Sequence, residues 1–115
     1  MHLQIMTFDG PRSPELVEAA ARAGRERIQP IIAADPELNT RLLGGFRAVA
    51  PDGGECVVTL ARDAAAFALL HQRVMASELL PGEDPALLPG PTRVVNYAVQ
   101  GILGPMAGLL AGLEP

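Results

Sequence analysis

His71 is the side chain in this sequence whose type and position most strongly suggest chemistry. On an ideal helix, with about 100° per residue, it lies about 40° from Phe67, inside the apolar stripe of a predicted helix. A histidine that faces a pocket could act as a general base on a phenolic substrate or could ligate a metal ion. The alternative is a partly buried histidine at the edge of the helix, without a catalytic role.

Two further candidates follow on the same predicted helix, which we expect to run to about Leu80. Glu78 comes seven residues after His71, about 10 Å along the axis on the same face, so both could line one cavity wall without forming a direct pair. Met75 is expected to point towards the core and to contact a ligand. The alternative for Glu78 is a solvated position near the helix end.

Strand residues supply the remaining candidates. Asn96 and Tyr97 are adjacent on the last predicted strand and point to opposite faces, so at most one of them enters a given pocket. Tyr97 is favoured, because its ring can pack while its hydroxyl binds a ligand oxygen; packing in the core or a dimer interface is the alternative. Arg47 could hold a carboxylate or phenolate, or lie on the surface.

The sequence predicts no cofactor and no metal. His2 and His71 are far apart, and no cluster of Cys or His supports either of them. The lone Cys56 has no evident activating base and is expected to be inert. The glycine pairs at 44–45 and 53–54 are interpreted as turn residues, since neither joins a strand to a helix as a phosphate loop does.

Composition limits the class of protein. The net charge is −4, and the nine basic residues are all arginines without a basic block, which argues against nucleic acid. No segment has the roughly 20 apolar residues of a membrane span, and residues 2–8 do not resemble a signal peptide. A single cysteine fits a reducing cytoplasm. The hydrophobic fraction of 49% favours a homodimer that covers apolar surface.

The order of predicted elements is strand, helix, strand, strand, helix, strand. Ser13 and Pro14 begin the first helix, Pro30 kinks it or ends its regular part, and small residues in its middle would let it approach the sheet closely. Asp63 caps the second helix. The predicted boundaries of the strands are 2–8, 46–50, 55–61 and 92–100, with a Pro-Asp-Gly-Gly hairpin turn at 51–54.

This order predicts an α+β fold of the ferredoxin-like βαββαβ type. Right-handed crossovers place both helices on one face of an antiparallel sheet, and apolar residues on both sides of the strands imply that a partner sheet covers the other face. The domain is expected to span residues 1–100. Residues 101–115 form an apolar tail that we expect to pack across the partner subunit or over the pocket mouth.

The chain resembles the dimeric α+β barrel superfamily, and within it the antibiotic-biosynthesis-monooxygenase-like proteins. The likeness rests on Ser13-Pro14-Glu15 with Pro30, Gly44-Gly45-Phe46, Pro51-Asp52-Gly53-Gly54, Val57-Val58-Thr59-Leu60 and Val94-Val95-Asn96-Tyr97-Ala98-Val99. It implies a homodimer with a pocket between sheet and helices in each subunit. Members include cofactor-independent oxygenases that act on polycyclic phenols, haem-degrading enzymes and proteins of unknown role.

The sequence departs from this family at two positions. Ala61 stands where members often carry a tryptophan, and the asparagine that haem-degrading relatives have on the first strand is not evident among Gln4, Ile5 and Met6. Haem degradation is therefore disfavoured. The resemblance implies a small-molecule enzyme or binder for aromatic or polyketide-like ligands. The alternative is a non-catalytic dimeric ligand-binding or interaction protein on the same fold.

Overall fold

The computed structural model describes residues 1–112, so the last three residues of the predicted tail, 113–115, lie outside the described residues. The strands are β1 (His2–Phe8), β2 (Leu42–Val49), β3 (Glu55–Ala61) and β4 (Arg93–Ala98). The helices are α1 (Pro14–Arg22), a π-helical segment (Ala23–Ile28), α2 (Gln29–Ala34), α3 (Pro36–Arg41), α4 (Ala65–Ala76), a 3₁₀ turn (Pro85–Leu87) and α5 (Met106–Leu109).

The four strands form one antiparallel sheet in the order β2-β3-β1-β4. This order, with the first and third strands in the centre, is that of the ferredoxin-like fold, and it confirms the predicted α+β class. At the middle of the sheet, Ile5 is paired with Val58 on one side and with Val95 on the other.

The helices lie on one side of the sheet. Ala61 of β3 is fully buried against Ala66 and Phe67 of α4, and Leu42 of β2 packs on the same cluster. Leu38 of α3 is also fully buried. Because Ala61 points towards α4, the residues that share its face of the sheet point towards the helix layer.

The first helix begins as its sequence predicts and then widens. Ser13 accepts a hydrogen bond from the Leu16 N–H at 3.3 Å, and Pro14 occupies the first turn. Pro30 has no N–H to donate and its ring conflicts with the carbonyl four residues earlier. The helix adopts π geometry before it, at Ala23–Ile28, and resumes α geometry at Gln29–Ala34, so Pro30 begins a new α-helical segment and does not end the helix.

The middle of this helix does not confirm the close approach to the sheet that its small residues predicted. A Cβ atom built on Gly24 would meet no heavy atom within 4 Å. The space next to Gly24 is therefore open, and glycine there is not required by packing. Gly24 lies in the π-helical segment Ala23–Ile28.

The hairpin turn is confirmed, but the strand that enters it is longer than predicted. Gly53 has φ of 90°, and Ala50 donates to the Gly54 carbonyl at 2.7 Å. The Gly44–Gly45 pair, interpreted as a turn, lies inside β2, where the register shifts between Leu42 and Gly44. A Cβ at Gly45 would collide with the backbone carbonyl of Val58, which explains a glycine within this strand.

The second predicted helix is shorter than the sequence indicated. Asp63 Oδ1 accepts the Ala66 N–H at 3.0 Å, as the predicted cap should, but α4 ends at Ala76 because Ser77 takes an extended conformation. The chain then folds back, and the Glu83 carboxylate accepts the Leu80 N–H at 2.7 Å. Glu78 therefore lies beyond the helix, and its predicted place on the His71 face is wrong.

Candidate functional site

The two faces of the sheet carry different side chains. The face away from the helices, here called the outer face, holds seven large apolar residues: Leu3, Ile5, Phe46, Val58, Leu60, Val95 and Tyr97. The helix-facing side carries smaller or polar residues over half of its length: Gln4, Gly45, Thr59, Ala61, Asn96 and Ala98. Towards the other end of the strands it becomes apolar, with Met6, Val57 and Val94.

A polar row crosses the helix-facing side of all four strands. Gly45, Thr59, Gln4 and Asn96 are successive cross-strand partners on β2, β3, β1 and β4. Gln4 Nε2 donates to Asn96 Oδ1 at 3.0 Å. Polar side chains that point between a sheet and its helices indicate a binding site more strongly than apolar ones do, because that space is normally filled by apolar side chains. The row is the candidate binding site.

The helix layer leaves the β4 end of this row uncovered. Asn96 and Ala98 are exposed although they point to the helix side, and Val94 on the same side of β4 is 48% exposed. Gln4 and Thr59, on the two central strands, are partly buried. The row is thus partly buried on the two central strands and exposed at both ends, and a small molecule could reach the amide groups along the β4 edge.

The structure does not bring the two predicted catalytic residues together. Tyr97 pairs with Leu3 and lies on the outer face, 50% exposed, whereas α4 lies on the opposite side of the sheet. His71 is on an exposed part of α4. Since the sheet separates the two side chains within one subunit, they cannot act on one ligand there, and their catalytic roles stay predictions.

The predicted ligand contacts on the second helix are likewise exposed. Met75, expected to point towards the core, is 70% exposed, so that expectation is wrong. Ala66 and Phe67 are the buried residues of α4, and Leu69, Leu70 and Val74 are partly buried. Glu78, beyond the helix end, is exposed as well. Neither residue lines the polar row.

The guanidinium of Arg47 is hydrogen-bonded to other groups of the protein. Its Nε and one Nη donate to the two carboxylate oxygens of Glu55 at 3.0 and 2.8 Å, and the same Nη donates to the Val17 carbonyl of α1 at 2.9 Å. Arg12, which lies over the Phe8 ring, adds a contact with Glu55 at 3.3 Å. This buried charge cluster joins the hairpin to α1 and closes one end of the helix-facing side.

Several ionised carboxylates hold the helix layer rather than the polar row. Hydrogen bonds from the Arg41 guanidinium, at 2.6 and 3.0 Å, hold the pKa of Asp63 below its ordinary value. Burial alone would raise the pKa of Glu83, but hydrogen bonds from the Leu80 N–H and from Arg27 outweigh it, so that this pKa is also lowered. These groups are structural.

A separate cleft of about 500 Å³ lies between α1 and the loop at 82–88. Its wall includes Arg22, which is bonded to Glu26 and to the Pro81 carbonyl, and Glu83, which is bonded to Arg27. None of the residues that the sequence proposed as a site lines it. Arg22 and Glu83 on its wall are thus already paired, and the cleft is distinct from the polar row.

Within residues 1–112, no group of three or more His, Cys, Asp or Glu side chains is arranged to hold a metal ion. Among the described helices, none has the length and apolar character needed to cross a membrane.

Sequence reasoning identified Asn96 as a ligand candidate but missed its partner Gln4. The available signal was alternation along the first strand, which places Gln4 on the same face as Met6 and Phe8. Which residue of β4 would stand opposite Gln4 depends on the register between strands 92 residues apart in sequence. No local pattern specifies that register.

Two solved structures are similar to this chain. A monooxygenase from the gene ActVA-Orf6 of Streptomyces coelicolor, in complex with the ligand Nanaomycin D, matches with a TM-score of 0.56 and 20% identity, over 90% of this chain and 91% of that one. An uncharacterized NIPSNAP domain protein from Burkholderia xenovorans matches with a TM-score of 0.51 and 16% identity, over 91% of this chain and 99% of that one.

No protein-family model matches the chain, and no curated protein matches it in sequence. The likeness is therefore one of fold. The chain shares its ferredoxin-like α+β fold with a monooxygenase solved with a bound ligand and with a NIPSNAP domain protein, which confirms the fold that the sequence resemblance implied.

Proposed function

We propose that the protein is a homodimer that binds a small, planar aromatic ligand, of polyketide-like type, between its sheet and its helices. The observation that carries this proposal is the polar row, with the small and exposed Ala98 next to it, on the side of the sheet where a domain without a ligand would place its largest apolar side chains. A flat ring system fits a floor of small side chains, and the amides supply orientation.

The dimer is proposed from the outer face. A folded monomer of 12.1 kDa is expected to expose about 6,000 Å², whereas this chain exposes 7,164 Å². Part of the excess is apolar, with Phe46 62% and Tyr97 50% exposed on the outer face. A second copy that packs its own outer face against this one would cover these residues.

The apolar tail is proposed to complete the same assembly. It leaves the sheet beside the first residue, where the Val99 N–H donates to the Met1 carbonyl at 3.0 Å. Leu103 and Leu109 are 89% and 85% exposed. In a dimer these side chains would pack on the partner or over the open edge at β4.

Catalysis of a monooxygenase-like reaction on such a ligand is the second candidate. His2 favours it, because this imidazole lies on the same face of β1 as Gln4, two residues or about 7 Å along the strand. It could take a proton from a bound phenol or anthrone. A His2→Ala variant that oxidises anthrone with O2 as fast as the unaltered protein would exclude this role.

The proposed function is tested by mass in solution and by ligand-induced stabilisation. We expect a dimer in sedimentation equilibrium, and a planar hydroxyquinone present at about 100 times its Kd should stabilise the fold by about 2.7 kcal/mol. Thermal unfolding with and without ligand measures this shift. A monomer, or a melting temperature unchanged by every planar aromatic tried, would contradict the proposal.

A further inference from the structure

We infer that the Gln4–Asn96 amide pair selects a ligand that carries a hydroxyl and a carbonyl group side by side, in neutral form. This inference rests on the proposed function and specifies its ligand class. The pair consists of two primary amides on adjacent strands, joined by one hydrogen bond of 3.0 Å between Gln4 Nε2 and Asn96 Oδ1.

The hydrogen-bonding capacity left on the pair defines what it can bind. One bond uses one donor and one acceptor, so one amide oxygen and one amide NH2 stay free. If both amides were rotated, Asn96 would donate to Gln4, and the remaining set would again be one oxygen and one NH2. Within residues 1–112 neither side chain has another hydrogen-bond partner.

A hydroxyl beside a carbonyl is the complement of this set. The free amide oxygen accepts from the ligand hydroxyl while the free NH2 donates to the ligand carbonyl. Hydroxyquinones and enolised β-diketones present these groups next to each other and can exchange which oxygen carries the proton. The amide pair can rotate to match either tautomer.

Charge around the pair favours a neutral ligand. The polar row itself contains no ionisable group. On the helix-facing side, the arginine of β2 is bonded to Glu55, and Arg93 of β4 lies on the outer face. A ligand carboxylate or phenolate placed on the amides would therefore lose water without gaining a guanidinium partner from the sheet. Within residues 1–112, His2, two residues along β1 from Gln4, is the remaining basic side chain on this face of the sheet.

A purely structural role of the pair makes a different prediction. A cross-strand amide pair that only fastens β4 to β1 contributes to stability and has no preference among ligands. The two roles separate when a ligand with the hydroxyl is compared with the same ring system in which the hydroxyl is methylated.

The experiment measures Kd for 1-hydroxyanthraquinone and for 1-methoxyanthraquinone by fluorescence titration of the full chain. We expect the hydroxy compound to bind about tenfold more tightly, since the methoxy oxygen cannot donate and leaves the amide oxygen unpaired. Gln4→Met and Asn96→Ala should each reduce this preference to about twofold or less and leave the methoxy affinity within about threefold.

The matched control is Asn39→Ala, which removes an exposed amide on α3 and should keep the tenfold preference. Asn96 is on an exposed edge strand, so that its variant should fold even if Gln4→Met does not, and circular dichroism checks both. Equal affinities of the unaltered protein for the two quinones, or a preference that survives both substitutions, would overturn this inference alone. If neither quinone binds, the proposed function fails as well.

Discussion

The two faces of the sheet show opposite distributions of side chains. The outer face carries seven large apolar residues, whereas the helix-facing side carries an amide pair, a threonine, alanines and a glycine over half of its length and becomes apolar only towards the hairpin, with Met6, Val57 and Val94. In a monomeric domain the side beneath the helices would be the more apolar of the two. We propose that a second copy covers the outer face and that the polar row binds a ligand.

The same contrast exists within the helix-facing side. At the hairpin end, Glu55 is 7% exposed and its carboxylate is bonded to Arg12 and Arg47, so this end is closed. Along β4, at the edge of the sheet, Val94, Asn96 and Ala98 are exposed, so this edge is open. The hairpin end fastens the helices, and the proposed ligand would enter at the β4 edge.

The largest effect is expected for a charge on the outer face. Val58→Lys places an ammonium group at the centre of the proposed interface, where an unpaired buried charge costs about 3–5 kcal/mol. We expect the dimer to dissociate, as measured by sedimentation equilibrium. Val49→Lys, on the helix-facing side of an edge strand, is the control and should leave the dimer intact. A dimer that tolerates both substitutions would contradict the proposal that the outer face is the interface.

The closed end is tested by Glu55→Gln. This change leaves two guanidinium groups without their carboxylate, and the Arg12 side chain is only 6% exposed, so we expect a loss of about 3 kcal/mol in the free energy of unfolding. Urea denaturation measures it. Glu37→Gln breaks an exposed pair with Arg41 and should cost less than about 0.5 kcal/mol. Equal losses for the two variants would show that the cluster does not hold this end.

Two glycines, one in a strand and one in a helix, test the packing around their positions. Gly45→Ala should destabilise the protein by about 1–3 kcal/mol, because the new Cβ collides with the Val58 carbonyl across the strands. Gly24→Ala meets no atom within 4 Å and should stabilise the helix by about 0.5–1 kcal/mol. Thermal unfolding measures the change in stability of both variants. Stability changes of the same sign would contradict the packing at Gly45 and Gly24.

The smallest effect is expected for His71→Ala. Because His71 is exposed on α4, away from the polar row, we expect a change within about 0.5 kcal/mol in stability and no measurable change in ligand affinity. Titration of a planar hydroxyquinone against this variant and against Asn96→Ala compares the two positions directly. A loss of binding in His71→Ala alone would indicate that the ligand binds at α4 and not at the polar row.

The sequence by itself determined the elements that depend on local chemistry. Ser13 and Pro14 begin α1, Pro30 lies in the first turn of α2, and Asp52 with Gly53 makes the hairpin turn. The order of these elements was enough for the ferredoxin-like fold, because crossovers and hairpins leave few ways to arrange them.

Tertiary structure alone decided which residues meet. Alternation along β4 showed that Asn96 and Tyr97 point to opposite faces, but only the pairing of β4 with β1 placed Asn96 beside Gln4 and left Tyr97 on the outer face. The end of α4 at Ala76, which leaves Glu78 outside the helix, is followed by a loop in which the Glu83 carboxylate accepts the Leu80 N–H. Local patterns set the period of a strand or helix, whereas register and helix length are set by contacts between distant parts of the chain.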